Sequence, residues 1–189
     1  IAFDPVVNGE WCLSDTRYGP MVHARLGIAE ENSGKLVSVV RKEAAKVAAE
    51  RGLNTILVDG SPGIGCPVVA SITGADLVLI VTEPTVSGLH DLGRVADVVK
   101  HFGIPGLVCI NKWDLNPEVT EEIERQAIAR GLTVAGRVRY DRAVTEAQVR
   151  KQAVVEFRKD GCARDVREVW DVVSRQMEPA TAADRAKRA

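Results

Sequence analysis
Residues 54–66 read Asn-Thr-Ile-Leu-Val-Asp-Gly-Ser-Pro-Gly-Ile-Gly-Cys, an apolar run that stops at one carboxylate, Asp59. Gly60, Pro62, Gly63 and Gly65 follow within six residues. A carboxylate at the end of a buried strand can hold a metal-bound water. Glycines without side chains let backbone N–H groups come close to an anion. The same residues also read as a Gly/Pro turn beside a solvated acid, and the local pattern leaves both open. Two more polar loops end apolar runs: Glu83-Pro84-Thr85 after Asp76–Thr82, and Asn111-Lys112-Trp113-Asp114 after Gly106–Ile110.

For these loops to share an edge, the runs before them must be neighbouring strands. Thr55–Val58, Asp76–Thr82 and Gly106–Ile110 are short apolar runs without polar alternation, as strands buried on both faces of a parallel sheet are. A short helix is expected over 67–73. Another follows Ser87 as its cap, with Leu89, Leu92, Val95, Ala96, Val99 and Phe102 inward. Asn116-Pro117 pairs an N-cap with proline at the first helical position. It opens a helix with Val119, Ile123, Ala127 and Ile128 inward, ended by Gly131. A strand returns over 132–138. Helices are predicted over 143–150 and 164–177, the latter with Val166, Val169, Trp170 and Val173 on one side. Upstream, Gly9–Thr16 and Met21–Leu26 read as strands. The polar loop 30–35 leads into a helix reaching about Glu50, with Gly52 as its stop. The alternation gives an α/β fold, an open, mainly parallel sheet flanked by helices. Ligands of such sheets bind beyond the carboxyl ends of the strands.

With 189 residues, the chain suits one domain with a full core. Residues 1–177 are expected to form it, and the Ala-rich, charged stretch 178–189 to be a flexible tail. A net charge of −1 and 4% aromatic residues supply neither the field nor the stacking platforms that nucleic acid needs. The longest apolar run, Ala75–Val81, is interrupted by Asp76 and is too short to span a bilayer. Cys12, Cys66, Cys109 and Cys162 are scattered and form no C-x-x-C pair, which disfavours a metal or cluster site within the chain and fits a reducing, cytoplasmic compartment. Cys109 reads as a buried small hydrophobe. Cys66, at a helix start where a thiol pKa can fall, is read as plain packing, and His23 as structural. Gly34-Lys35 is not a Walker A motif, because the earlier glycine is replaced by Ala29.

Taken in order, the three loops resemble those of the MinD/ParA-type P-loop ATPases, within the wider group that includes the nitrogenase iron protein and cobyrinic acid a,c-diamide synthase. The likeness is to the branch carrying an inserted ferredoxin domain. It rests on Glu31-Asn32-Ser33-Gly34-Lys35-Leu36-Val37, Gly63-Ile64-Gly65-Cys66-Pro67 and Thr82-Glu83-Pro84-Thr85-Val86-Ser87-Gly88-Leu89-His90-Asp91-Leu92. It covers roughly residues 1 to 158 and is specific in combination.

The resemblance implies ATP and Mg²⁺ as cofactors. Asp59 would be the Walker B acid holding Mg²⁺ through water, and Gly63 the glycine whose N–H meets the γ-phosphate. Gly60, Pro62 and Gly65, in the same loop, would bind the nucleotide with it. Asn111 would read the base, since an amide carries both a donor and an acceptor that can pair with an adenine edge. Residues 140–144 would flank the base, although Arg139 stands where the family leads one to expect proline. Asn111-Lys112-x-Asp114 also spells the guanine-specificity pattern, so GTP is the alternative nucleotide. The family's Walker A loop is not in the sequence, and Ile1-Ala2-Phe3-Asp4 resembles residues just after a ferredoxin insert. A C-terminal portion of the ATPase domain is therefore expected, inactive alone, with iron–sulfur clusters only upstream. The intact protein would be a nucleotide-binding homodimer that couples nucleotide state to electron transfer or metallocluster assembly, with a redox or iron–sulfur protein as partner. A non-enzymatic partner-docking module and a cobyrinic acid a,c-diamide synthase-like domain are the other readings.

Overall fold
The computed structural model describes residues 9–26 and 33–177. The readings of residues 1–8, of 27–32 in the polar loop and of the tail 178–189 lie outside the described residues. The chain divides into two compact units, Ile1–Ala75 and Asp76–Ala189.

In the first unit β1 (Gly9–Thr16) and β2 (Gly19–Leu26) form an antiparallel hairpin, closed where Thr16 faces Gly19. Gly19 holds φ 131°, which a side chain would resist, and Thr16 Oγ1 donates to its carbonyl at 2.7 Å. Ser14 Oγ and His23 Nε2 share a hydrogen bond of 2.9 Å across the hairpin. Helix α1 (Ser33–Arg51) packs on the hairpin and on α2 (Cys66–Ile72). It starts within the predicted polar loop and ends at left-handed Gly52. Arg51 Nη1 reaches Asp15 Oδ1 of β1 at 2.6 Å. Arg41 donates to the carbonyls of Ala70, at 2.9 Å, and Thr73, so the last turn of α2 keeps partners for its carbonyls.

The run Thr55–Val58 is not a strand. Residues 53–60 have no regular secondary structure, join no ladder among the described residues and are exposed throughout, Leu57 at 83%. An apolar run supplies the face of a strand, but backbone donors and acceptors need a partner chain beside them. No described strand provides one.

The second unit holds a parallel sheet of order β3-β4-β5, made of Val78–Thr82, Gly106–Asn111 and Thr133–Val138. Helices α3 (Val86–His101) and α4 (Pro117–Ala129) are the crossovers, and α5 (Ala143–Val149), α6 (Val154–Phe157) and α7 (Cys162–Met177) follow. β4 is central, and Leu107, Val108, Cys109 and Ile110 are all buried, as its unbroken apolar sequence predicts. Leu107 and Cys109 join Ala135, Val169 and Val173 in the core beneath α7. Val108 and Ile110 point to the other face, where α3 and α4 pack and bury Leu92, Ala96, Val99, Ile123 and Ala127. Complete burial of a side chain such as Leu92 or Ile123 stabilises by about 2 kcal/mol.

Several expectations need correction. Thr85, not Ser87, caps α3, its side chain accepting Gly88 N–H. Phe102, Ile128 and Trp170 were expected inward but are 36%, 65% and 46% exposed. Phe102 is the residue after the last turn of α3, and Ile128 lies in the last turn of α4. On α7 the buried stripe runs Cys162, Asp165, Val169, Val173, and Trp170 stands about 100° round the helix from Val169. Helix α6 was not foreseen. Its single turn begins where the Glu156 carboxylate accepts Ala153 N–H at 2.9 Å.

Candidate functional site
Parallel pairing puts the carboxyl ends of β3 and β4 on one edge, with Thr82 beside Ile110. The loop after β3 is tightly held. Thr82 Oγ1 donates to the Gly88 carbonyl at 3.0 Å, and Gly88 N–H donates to Thr85 Oγ1 at 3.0 Å. A Cβ on Gly88 would run into the Glu83 carbonyl oxygen and lie 2.9 Å from Thr82 Oγ1. Only glycine lets the first turn of α3 come this close to the loop that carries Glu83.

The loop after β4 turns at Lys112, whose backbone is left-handed (φ 55°, ψ 36°). This turn places Lys112 Nζ 2.7 Å from Glu83 Oε1. Asn111 Nδ2 donates to the same oxygen at 3.4 Å. Beyond them, Thr120 Oγ1, fully buried in α4, donates to the Trp113 carbonyl at 2.9 Å. The Arg137 guanidinium lies 5.5 Å over the Trp113 ring while gripping Glu124 through two bonds of 2.6 Å. Asp114 Oδ1 accepts Tyr140 N–H at 2.7 Å.

That last bond joins the β4 loop to the loop after β5, which two more carboxylates fix. Asp165, buried in α7, accepts from Arg139 Nε at 2.7 Å, Arg139 Nη2 at 2.9 Å and Arg139 N–H at 3.1 Å. Burial alone would raise the Asp165 pKa, but the donors from Arg139 outweigh it and hold the carboxyl below its ordinary range. Asp141 accepts Ala143 N–H at 2.9 Å, which more than any other contact lowers its pKa, and also Cys162 N–H at 3.4 Å. Asp114, Asp165 and Asp141 thus set the backbone of 139–143 from three directions.

In the first unit Asp59 is exposed, and Gly60, Pro62, Gly63 and Gly65 form the loop into α2. Gly63 is left-handed at φ 87°. Gly65 is the N-cap, its carbonyl accepting Val68 N–H at 3.0 Å and Val69 N–H at 3.2 Å. A Cβ on Gly34 would sit 3.0 Å from Cys66 Cβ, so the first turns of α1 and α2 touch there. Cys66, expected to pack away, is exposed, whereas Cys109 is buried as expected and burial raises its thiol to about 11.

Of the predicted site residues, Asn111 meets Glu83, which Lys112 also holds, and Asp114 meets Tyr140 N–H. Asp59, Gly60, Pro62, Gly63 and Gly65 form their own loop in the other unit. Two anchors escaped the sequence reading, the Arg139–Asp165 pair and the Thr120 bond to Trp113. Asp165 had a legible signal. An acid in register with the apolar stripe of a helix must meet a donor on burial.

No family model matches the chain. A 97-residue segment, 51% of the chain, is 33% identical to the uncharacterized protein MJ0578 of Methanocaldococcus jannaschii and covers 34% of that protein. A second protein of that organism, MJ0579, is 31% identical over 98 residues and is covered to 35%. The chain thus spans about a third of the length of the curated relatives it matches. Among solved structures, the MinD cell division protein of Aquifex aeolicus aligns at a TM-score of 0.61 and 19% identity, over 89% of this chain and 69% of that one. The septum site-determining protein MinD of Pyrococcus horikoshii, complexed with Mg-ADP, aligns at 0.60 and 18% identity, over 78% of this chain and 58% of that one. These likenesses establish the fold: an α/β chain whose parallel sheet and flanking helices resemble the P-loop NTPase fold of MinD.

Proposed function
We propose that the chain is the part of a MinD-like, Mg²⁺-dependent ATPase that reads the base and senses the γ-phosphate. The observation that carries this is the joined rim of the second unit. Asn111, held to Glu83, and Asp114, bonded to Tyr140 N–H, both lie in the loop at the carboxyl end of β4, and the resemblance assigns them and Tyr140 to the base; ligands of parallel sheets bind at that edge. Asp59 and the Gly60–Gly65 loop are the proposed Mg²⁺ and γ-phosphate elements. Among the described residues no group of three or more His, Cys, Asp or Glu gathers. Mg²⁺ keeps most of its waters and is usually held by one or two carboxylates together with phosphates. Mg²⁺ would neutralise phosphate charge at this site. Exposed Asp59 would hold one of its waters, and Gly63 would present its N–H to a phosphate oxygen from a left-handed backbone that only glycine takes without strain.

In the whole protein, a phosphate-binding loop outside these residues would complete the site. The resemblance to the ferredoxin-bearing branch supports a homodimer that couples hydrolysis to electron transfer or metallocluster assembly. The test is Mg²⁺-dependent ATP hydrolysis by the whole protein, with Asp59→Ala abolishing turnover. Turnover unchanged in Asp59→Ala removes Asp59 from the site, and tighter binding of GTP than ATP overturns the choice of nucleotide.

A further inference from the structure
We infer that Glu83 is the positioning residue that makes this site select adenine over guanine, acting through the amide of Asn111; this rests on the nucleotide reading above. An asparagine amide is ambiguous by itself, since rotation by half a turn exchanges its donor and acceptor ends. At this rim the ambiguity is removed. A carboxylate accepts and cannot donate, so the group facing Glu83 Oε1 at 3.4 Å must be Nδ2. Lys112 Nζ, 2.7 Å from the same oxygen, keeps the Glu83 carboxylate in place. With one N–H spent on Glu83, Asn111 keeps one acceptor, Oδ1, and one N–H donor for a base.

That pair matches the N6–H donor and N7 acceptor of adenine. Guanine offers two acceptors there, O6 and N7, so O6 would meet Oδ1 without a proton between them. Leaving that contact unsatisfied in a site built to hydrogen-bond is costly. Asp114, the acid of the guanine-like pattern, already receives Tyr140 N–H on Oδ1 at 2.7 Å. It holds the base-flanking loop, while Glu83 sets the base preference. The Glu83 carbonyl accepts Thr85 N–H at 2.8 Å, and the Gly88 bonds to Thr82 and Thr85 hold the residues on either side of Glu83, so this loop belongs to the same device.

The experiment measures ATP and GTP affinities of the whole protein by competition against a fluorescent ATP analogue, with thermal melts of each variant as the folding control. The Glu83 side chain is 43% exposed, so its removal leaves the core intact. Glu83→Ala frees the amide, and the ATP-over-GTP preference falls by about tenfold, the worth of one oriented hydrogen bond. Glu83→Gln keeps the preference, because the donors Asn111 Nδ2 and Lys112 Nζ turn the Gln oxygen toward themselves. Asp114→Ala weakens both nucleotides by a similar factor. A preference unchanged in Glu83→Ala, or lost equally in Glu83→Gln, overturns the role of Glu83 and leaves the nucleotide reading standing. A wild-type protein that binds neither nucleotide overturns both.

Discussion

Arg139 grips Asp165 with its guanidinium at 2.7 and 2.9 Å and with its own backbone N–H at 3.1 Å, so a single buried carboxylate fixes both the side chain and the backbone at the start of the loop after β5. The pair sets a pH dependence whose direction is fixed. The Asp165 pKa is lower in the folded chain than in the unfolded one, because the Arg139 donors overcome the effect of burial. Its contribution to stability is therefore complete above the ordinary carboxylate pKa of about 4 and is lost as pH falls through the folded value. Asp165→Asn keeps an acceptor for Arg139 N–H but loses the charge. It should melt several degrees below wild type at pH 7, and the gap should close as the pH drops below about 4. Melting curves followed by circular dichroism from pH 7 to 3 measure this. A gap of constant size would mean that shape, not charge, is what Asp165 supplies.

Gly88 carries a second expectation. A methyl group there meets the Glu83 carbonyl and Thr82 Oγ1, both held by the hydrogen bonds of the β3–α3 loop. Gly88→Ala should cost about 1–3 kcal/mol, the usual range for overpacking, seen as a lower urea midpoint with an unchanged slope. Stability equal to wild type would show that the loop shifts aside, and with it Glu83.

Much of the second unit could be read in the sequence because its signals are local. The apolar stretch Leu107–Ile110 became the central strand, and Asn116-Pro117 opened α4, with Asn116 Oδ1 accepting Val119 N–H at 3.2 Å. What the sequence hid depends on partners far along the chain. Asp114 and Tyr140 are 26 residues apart, as are Arg139 and Asp165, and no spacing rule links either pair. Trp170 reads as apolar and inward, but the side of α7 that meets the sheet is decided by β4 and β5. Thr55–Val58 has the composition of the Leu107–Ile110 strand without its neighbours. Composition sets how a strand would pack, while pairing decides whether it forms.

That difference can be measured directly. Leu107–Ile110 lies between two hydrogen-bonded neighbours, β3 and β5, and should exchange its amides only when the second unit opens. Residues 54–58 have no ladder partner among the described residues and are exposed along their whole length. Their amides should exchange with deuterium within seconds in this chain, while those of 107–110 stay protected by several orders of magnitude. Mass spectrometry of the corresponding peptides reads both. Equal protection in the two segments would show that the run before Asp59 is paired after all. The same measurement on the whole protein tests whether a strand outside the described residues pairs with 54–58. New protection confined to 54–58 would place Asp59 at the end of a true strand, in the position a Mg²⁺-holding carboxylate needs.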